Sequence, residues 1–170
     1  MIKISERLGV VGVRHNSPKS KQIVTRLVSH SHKFIFGLEL TAQDAYYIRK
    51  KGVIKSEFYP ILTQQNANYF LMDLSMCELL SKGGYQQSVD GSVEFSFDRL
   101  FCKILNRYGY RSHMTSEMPS KTLLKYKNTM YDIREEYMAQ SIQKKLDEQA
   151  LPIIVICGKK HVPKLLERFT

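Results

Sequence analysis

The sequence predicts an α/β fold, a mostly parallel sheet of about four to five strands flanked by helices, and three observations carry that expectation. Short apolar runs rich in β-branched residues stand at both ends of the chain, Leu8-Gly9-Val10-Val11 and Ile153-Ile154-Val155-Ile156-Cys157. Such runs suit strands covered on both faces, as in a parallel sheet. Between them lie segments whose apolar residues recur at three- and four-residue steps, which gives a helix one buried face. Strands and helices also alternate along the chain, the order that leads to parallel pairing.

The elements follow in order. A first strand over 7–14 leads through Gly12-Val13-Arg14-His15 to Ser17-Pro18, the cap and first position of a helix over 18–30. Ile23, Val24, Leu27 and Val28 give that helix a broad apolar face. Ser29-His30-Ser31-His32 is its end, where His30 suits the helix dipole. A second strand, 33–40, runs into Glu39. Thr41-Ala42-Gln43-Asp44 opens the next helix, and Arg49-Lys50-Lys51-Gly52 supplies its cationic end and glycine stop. A helix around 56–66 precedes a third strand, 68–73, which ends on Asp73. A helix over 74–82 then stops at Gly83-Gly84, a polar loop or hairpin fills 85–94, and another helix covers 96–108. Residues 111–128, with His113, read as a lid or a long surface connection, and 85–128 is where a fifth strand is expected.

The last third is the clearest. Met130, Ile133, Tyr137, Met138, Ile142 and Leu146 mark one face of a long helix. Gln149-Ala150 and Pro152 break it, because proline biases the preceding residue away from helical geometry. The strand Ile153–Cys157 follows, then Gly158 and, three residues on, His161.

Composition bounds the answer. A chain of 170 residues, 43% hydrophobic and 25% charged, fits a single globular domain over 1–170. No window approaches the roughly 20 apolar residues that span a bilayer. No basic stretch with an apolar core opens the sequence, so a cytoplasmic protein without a signal peptide is expected. Cys77, Cys102 and Cys157 lie among apolar residues and form no Cys-x-x-Cys pair, which suits buried, reduced thiols. The net charge of +10 favours anionic partners. The bases are scattered, at Lys19/Lys21, Arg49-Lys50-Lys51, Lys121/Lys125/Lys127, Lys144-Lys145 and Lys159-Lys160, and no nucleic-acid module is recognisable. Nucleic acid is therefore not the favoured partner, and most of these bases read as solvated surface.

The strand–Gly-x-x-His pattern occurs twice, as Gly12…His15 and Gly158…His161. In a parallel sheet the carboxyl ends of strands share one edge, where sites are built. Two histidines from opposite ends of the sequence are expected to meet there. These paired elements resemble the TraB/Tiki family, within the superfamily that includes erythromycin esterases and ChaN-like haem-binding lipoproteins. Three further segments fit in family order: Phe34-Ile35-Phe36-Gly37-Leu38-Glu39-Leu40, Asn68-Tyr69-Phe70-Leu71-Met72-Asp73, and Arg134-Glu135-Glu136-Tyr137-Met138-Ala139.

The resemblance to Tiki implies a metal-dependent, peptidase-like hydrolase. His15, Glu39 and His161 would hold a divalent cation (Mn, Co or Zn) with a position open for water. Asp73 or Glu135 would take the proton, and Arg134 would pair with Glu39 or steady an oxyanion. The resemblance to erythromycin esterases implies instead a metal-free hydrolysis with His15 as general base. Either way the expected substrate is an unknown small molecule or peptide, anionic ones included. Haem, the ligand that ChaN suggests, is not expected, since no tyrosine is singled out as an axial ligand. Arg14 and Lys159-Lys160 put positive charge beside both histidines, which disfavours a bound cation. The alternative is therefore a non-enzymatic binding module of the same fold, holding an anionic ligand or acidic partner. An enzyme requires Glu39 in reach of both histidines around an open cleft. A binding module permits a closed edge with Arg14 and Lys159 filling it.

Overall fold

The computed structural model describes residues 1–52, 56–74 and 120–170, with backbone alone at 43, 47, 51 and 120–130. The chain divides into two compact units, Met1–Ser75 with Glu135–Thr170, and Met76–Arg134. The first unit holds the sheet. Its strands are β1 (Ile2–Lys3), β2 (Leu8–Val13), β3 (Ile35–Leu38), β4 (Tyr69–Leu71) and β5 (Ile153–Gly158), in the order β1-β2-β5-β3-β4. The described helices are α1 (Pro18–Val28), α2 (Ala42–Lys51), α3 (Tyr59–Gln64), α4 (Ser120–Glu148) and α5 (Val162–Phe169).

The fold class is the expected one: four strands run parallel, with helices on both faces. β5 lies at the centre because its sequence is apolar at every position, and Ile153 through Cys157 are all buried. It pairs with β2 from Leu8↔Ile153 to Val13↔Gly158, and with β3 from Ile35↔Ile153 to Leu38↔Ile156. Alternation along each strand then sorts the side chains. Val11, Val13, Phe36, Leu38, Ile154 and Ile156 meet Val24 and Val28 of α1 and Leu62 of α3 on one face. Leu8, Val10, Ile153, Val155 and Cys157 meet Met138 and Ile142 of α4 and Leu165 of α5 on the other.

Local chemistry sets the helix ends. Ser17 caps α1 by accepting from the Ser20 N–H, with Pro18 at the first turn. Thr41 caps α2 by accepting from the Asp44 N–H, and Gly52 ends it at φ 63°, a left-handed turn. Arg7, just before β2, donates to the Leu146 and Gln149 carbonyls, satisfying acceptors at the C-terminal end of α4.

The sheet reaches five strands through β1, which pairs antiparallel with β2 as Ile2↔Val10 and Lys3↔Gly9. Nothing in residues 1–6 predicts it, because two exposed residues are too few for a period to show. Residues 120–128, expected within a lid or surface connection, are instead the first turns of α4, ahead of the apolar pattern that begins at Met130. The helices expected over 74–82 and 96–108, the loop at 85–94, the rest of 85–119 with its expected strand, His113, Cys77 and Cys102 lie outside the described residues, Leu74 apart.

The two Gly-x-x-His glycines serve different packing. A Cβ on Gly12 would stand 2.8 Å from Val162 Cγ2, 3.3 Å from Lys159 Cγ and 3.4 Å from Lys159 Cα, so the start of α5 crosses directly over it. Gly12→Ala is expected to cost about 1–3 kcal/mol, as overpacking does, and to lower the thermal midpoint by several degrees. Gly9→Ala is the control: the nearest obstacle there is the flexible Met1 Sδ at 3.3 Å.

Candidate functional site

β2 runs into α1 on one face of the sheet, and its neighbour β5 runs into α5 on the other. Strand ends that diverge to opposite faces leave a crevice at the carboxyl edge, the usual place for a site in an α/β sheet. Three ionisable side chains meet beside it. His161, 3% exposed, places Nε2 3.1 Å from Glu39 Oε1 and Nδ1 2.9 Å from Glu135 Oε1. Glu39 Oε2 accepts from the Gly158 N–H at 2.6 Å.

Each member is delivered by local structure. The β3–β5 register continues one residue past β3, where the Glu39 N–H donates to the Ile156 carbonyl at 3.0 Å. That brings Glu39 to the end of β5. A Cβ on Gly158 would lie 3.3 Å from Glu39 Oε2, so glycine lets the carboxylate close on the backbone. The His161 N–H donates to the Gly158 carbonyl at 3.0 Å, a tight turn that folds the ring back toward Glu39. Glu135 comes from α4, on the same stripe as Met138, Ala139 and Ile142. A charge on an apolar helix stripe is a legible signal, and the helix-period pattern alone passes over it.

An ionised carboxylate only accepts hydrogen bonds. A ring with a carboxylate oxygen at each nitrogen therefore carries two protons, or faces a protonated carboxyl. The side chains of His161, Glu135 and Glu39 are 4%, 7% and 15% exposed, so each polar group depends on its partners rather than on water.

His15 is exposed, its ring centroid 6.4 Å from that of Phe58, and it makes no hydrogen bond or ion pair with Glu39 or His161. Asp73 Oδ1 accepts from the Leu74 N–H at 2.9 Å. Arg134 belongs to the other unit, its guanidinium 5.9 Å from the Tyr131 ring centroid. His30 is at the C-terminal end of α1, Nδ1 3.3 Å from the Arg26 carbonyl. Cys157 is 1% exposed, and its thiol is pushed above the ordinary range by burial first, then by the charges of Glu39 and Glu135. That opposes a nucleophilic thiolate.

The expected cation set of His15, Glu39 and His161 is thus assembled only as the Glu39–His161 pair. Among the described residues no group of three or more His, Cys, Asp or Glu side chains is placed to hold a metal ion. Glu39 and His161 face each other at 3.1 Å, with Glu135 on the other ring nitrogen.

What remains open at the edge is positive. The Lys159 N–H donates to the Val13 carbonyl at 3.1 Å, which sets Lys159 and Lys160 beside Arg14. All three are exposed, and none makes an ion pair with a described residue. The Lys159 stem covers Gly12, closing the edge above β2. The nearby acid is Glu57, whose Oε1 accepts from the Asn16 N–H at 2.8 Å.

No family model matches the chain, and no curated protein matches it. Among solved structures, one showing cofacial haem binding to ChaN of Campylobacter jejuni is similar at a TM-score of 0.49 and 14% identity, over 98% of this chain and 78% of that one. Similarity at that level brings no ligand and no residue role to this chain. No described helix is long and apolar enough to cross a membrane.

Proposed function

We propose that this chain is a non-enzymatic binding module that holds an anionic ligand on the basic carboxyl edge of its sheet. The observation that carries the reading is the contrast at that edge. His161, the one buried histidine among the described residues, has both nitrogens beside carboxylates, while Arg14, Lys159 and Lys160 at the same edge are exposed and make no ion pair with a described residue. Exposed ammonium and guanidinium groups bind phosphate and carboxylate oxygens through charge-assisted hydrogen bonds. On this reading Glu39, His161 and Glu135 are structural. They pin the ends of β3 and β5 and the start of α5 to α4, and so hold the basic groups in place.

Calorimetry with pyrophosphate tests it. The intact chain is expected to bind, and Arg14→Glu/Lys159→Glu/Lys160→Glu to weaken binding at least roughly tenfold, the loss of about 1.4 kcal/mol or more. The hydrolase reading is tested in the same samples with ester and peptide substrates, with and without Mn²⁺, Co²⁺ or Zn²⁺. Turnover by the intact chain that disappears in a folded His161→Gln variant would replace the binding-module reading.

A further inference from the structure

The anionic ligand has a more specific chemistry. Between Glu6 and Glu39 the sequence contains no acidic residue, yet it carries Arg7, Arg14, Lys19, Lys21, Arg26 and Lys33. The fold gathers most of that charge. α1 buries Ser20, Val24 and Val28, which turns Lys19, Gln22 and Arg26 outward as a single line, continued by His30 just past the helix. Lys21, Gln22, Thr25 and Arg26 share the exposed surface of α1 beside that line. The first turn of α1 adjoins the basic edge: the Arg14 N–H donates to Ser20 Oγ, on the buried side of the helix, at 3.1 Å. None of Arg14, Lys19, Lys21 and Arg26 makes an ion pair with a described residue.

We infer that this track, from Lys159 and Lys160 through Arg14 to Lys19, Lys21 and Arg26, binds the phosphate backbone of a nucleic acid. The inference rests on the anion-binding reading and names the ligand. Lys19 and Arg26 stand along one line of α1 and Lys21 on its other exposed flank, so the cations are spread out rather than converging on a point. Lys19 to His30 spans about 16 Å at the helical rise per residue. One small anion meets a single turn of such a line. A nucleic-acid strand places a phosphate roughly every 3.4 Å along the helix axis, so several face it together. Interleaved Gln22 and Thr25 supply the neutral hydrogen-bonding groups that such backbones also use. An anionic membrane fits less well. An interfacial helix needs an apolar face to insert, and Ile23, 38% exposed, is the large apolar residue that α1 offers to solvent.

Fluorescence anisotropy with a labelled duplex of about 20 base pairs tests the inference on the full chain. Six contacts predict a log–log salt slope near −5. Lys19→Glu/Lys21→Glu/Arg26→Glu is expected to weaken binding at least tenfold and to flatten the slope by about 3. These positions are exposed, and circular dichroism confirms that the variant folds. Duplex affinity that is unchanged in this variant, or a flat salt dependence, would overturn the inference. Pyrophosphate binding lost in Arg14→Glu/Lys159→Glu/Lys160→Glu, with no duplex binding at all, leaves the anion-binding module standing and removes nucleic acid. Binding to phosphatidylserine vesicles without binding to duplex removes it in favour of a membrane surface. Binding of neither pyrophosphate nor duplex sinks both readings together.

Discussion

Replacing His161 by alanine lowers the thermal midpoint of this chain by roughly 10 °C. The ring bridges Glu39 and Glu135, and all three side chains are largely withdrawn from water. Removing one member of a buried charged group leaves the others uncompensated, at a cost of about 3–5 kcal/mol. For a domain of this size each kcal/mol corresponds to about 2–4 °C. His15→Ala, at an exposed ring, is expected to fall within about 0.5 kcal/mol of the intact chain. The same Gly-x-x-His pattern therefore predicts unequal consequences at its two copies. Adding Glu39→Gln and Glu135→Gln to His161→Ala restores part of the loss, because buried amides need no counter-charge. Thermal unfolding followed by circular dichroism checks each step. Equal midpoints for His15→Ala and His161→Ala would show that the cluster holds nothing together.

That inequality also shows where the sequence was legible and where it was not. The strands read correctly at β2, β3, β4 and β5 because their apolar runs are continuous and bounded by glycine, proline or caps. Gly52 as the stop of α2 and Pro152 as the break before β5 follow from the same local rules. Glu39 and His161 were legible as edge residues, since each follows a buried strand, and the fold brings them to 3.1 Å. The His15–His161 meeting was inferred from shared spacing, and spacing does not say which way a loop turns. After β5, His161 folds back under α5. After β2, Asn16 takes a left-handed φ of 59° and its N–H is held by Glu57, and the chain leaves toward α1 with His15 outside. Those contacts are far apart in sequence, so no local pattern encodes them.

The scattered bases show a related limit. Read along the chain, Arg14, Lys19/Lys21, Arg26 and Lys159-Lys160 look like separate solvated positions. The long-range fact that joins the two ends is the pairing of β2 with β5, by which the Lys159 N–H donates to the Val13 carbonyl; the bond from the Arg14 N–H to Ser20 on α1 is local. The absence of acids between Glu6 and Glu39 was visible in the sequence. It gains meaning only when α1 is seen to bury its apolar side and present the basic one.

Phe36→Ala is expected to be as damaging as His161→Ala, for an unrelated reason, and the pair separates packing from charge. Phe36 lies on β3 between Ile154 of β5 and Tyr69 of β4, fully buried, in the cluster beneath α1, α2 and α3. Truncating it loses the transfer free energy of the ring and leaves a cavity that a rigid sheet closes poorly, about 3–5 kcal/mol in all. Its neighbour Phe34, edge-on at 6.5 Å between ring centroids, loses an aromatic contact as well. Phe36→Leu keeps most of the volume and should cost under about 1.5 kcal/mol. The loss at Phe36 is insensitive to added salt and additive with Glu39→Gln, because no charge is exposed by it and the two sites share no hydrogen bond. Urea unfolding of the single and double variants measures both properties. Strong coupling between Phe36→Ala and Glu39→Gln would mean that β3 shifts as a unit, and that the position of Glu39 beneath His161 depends on the core behind it.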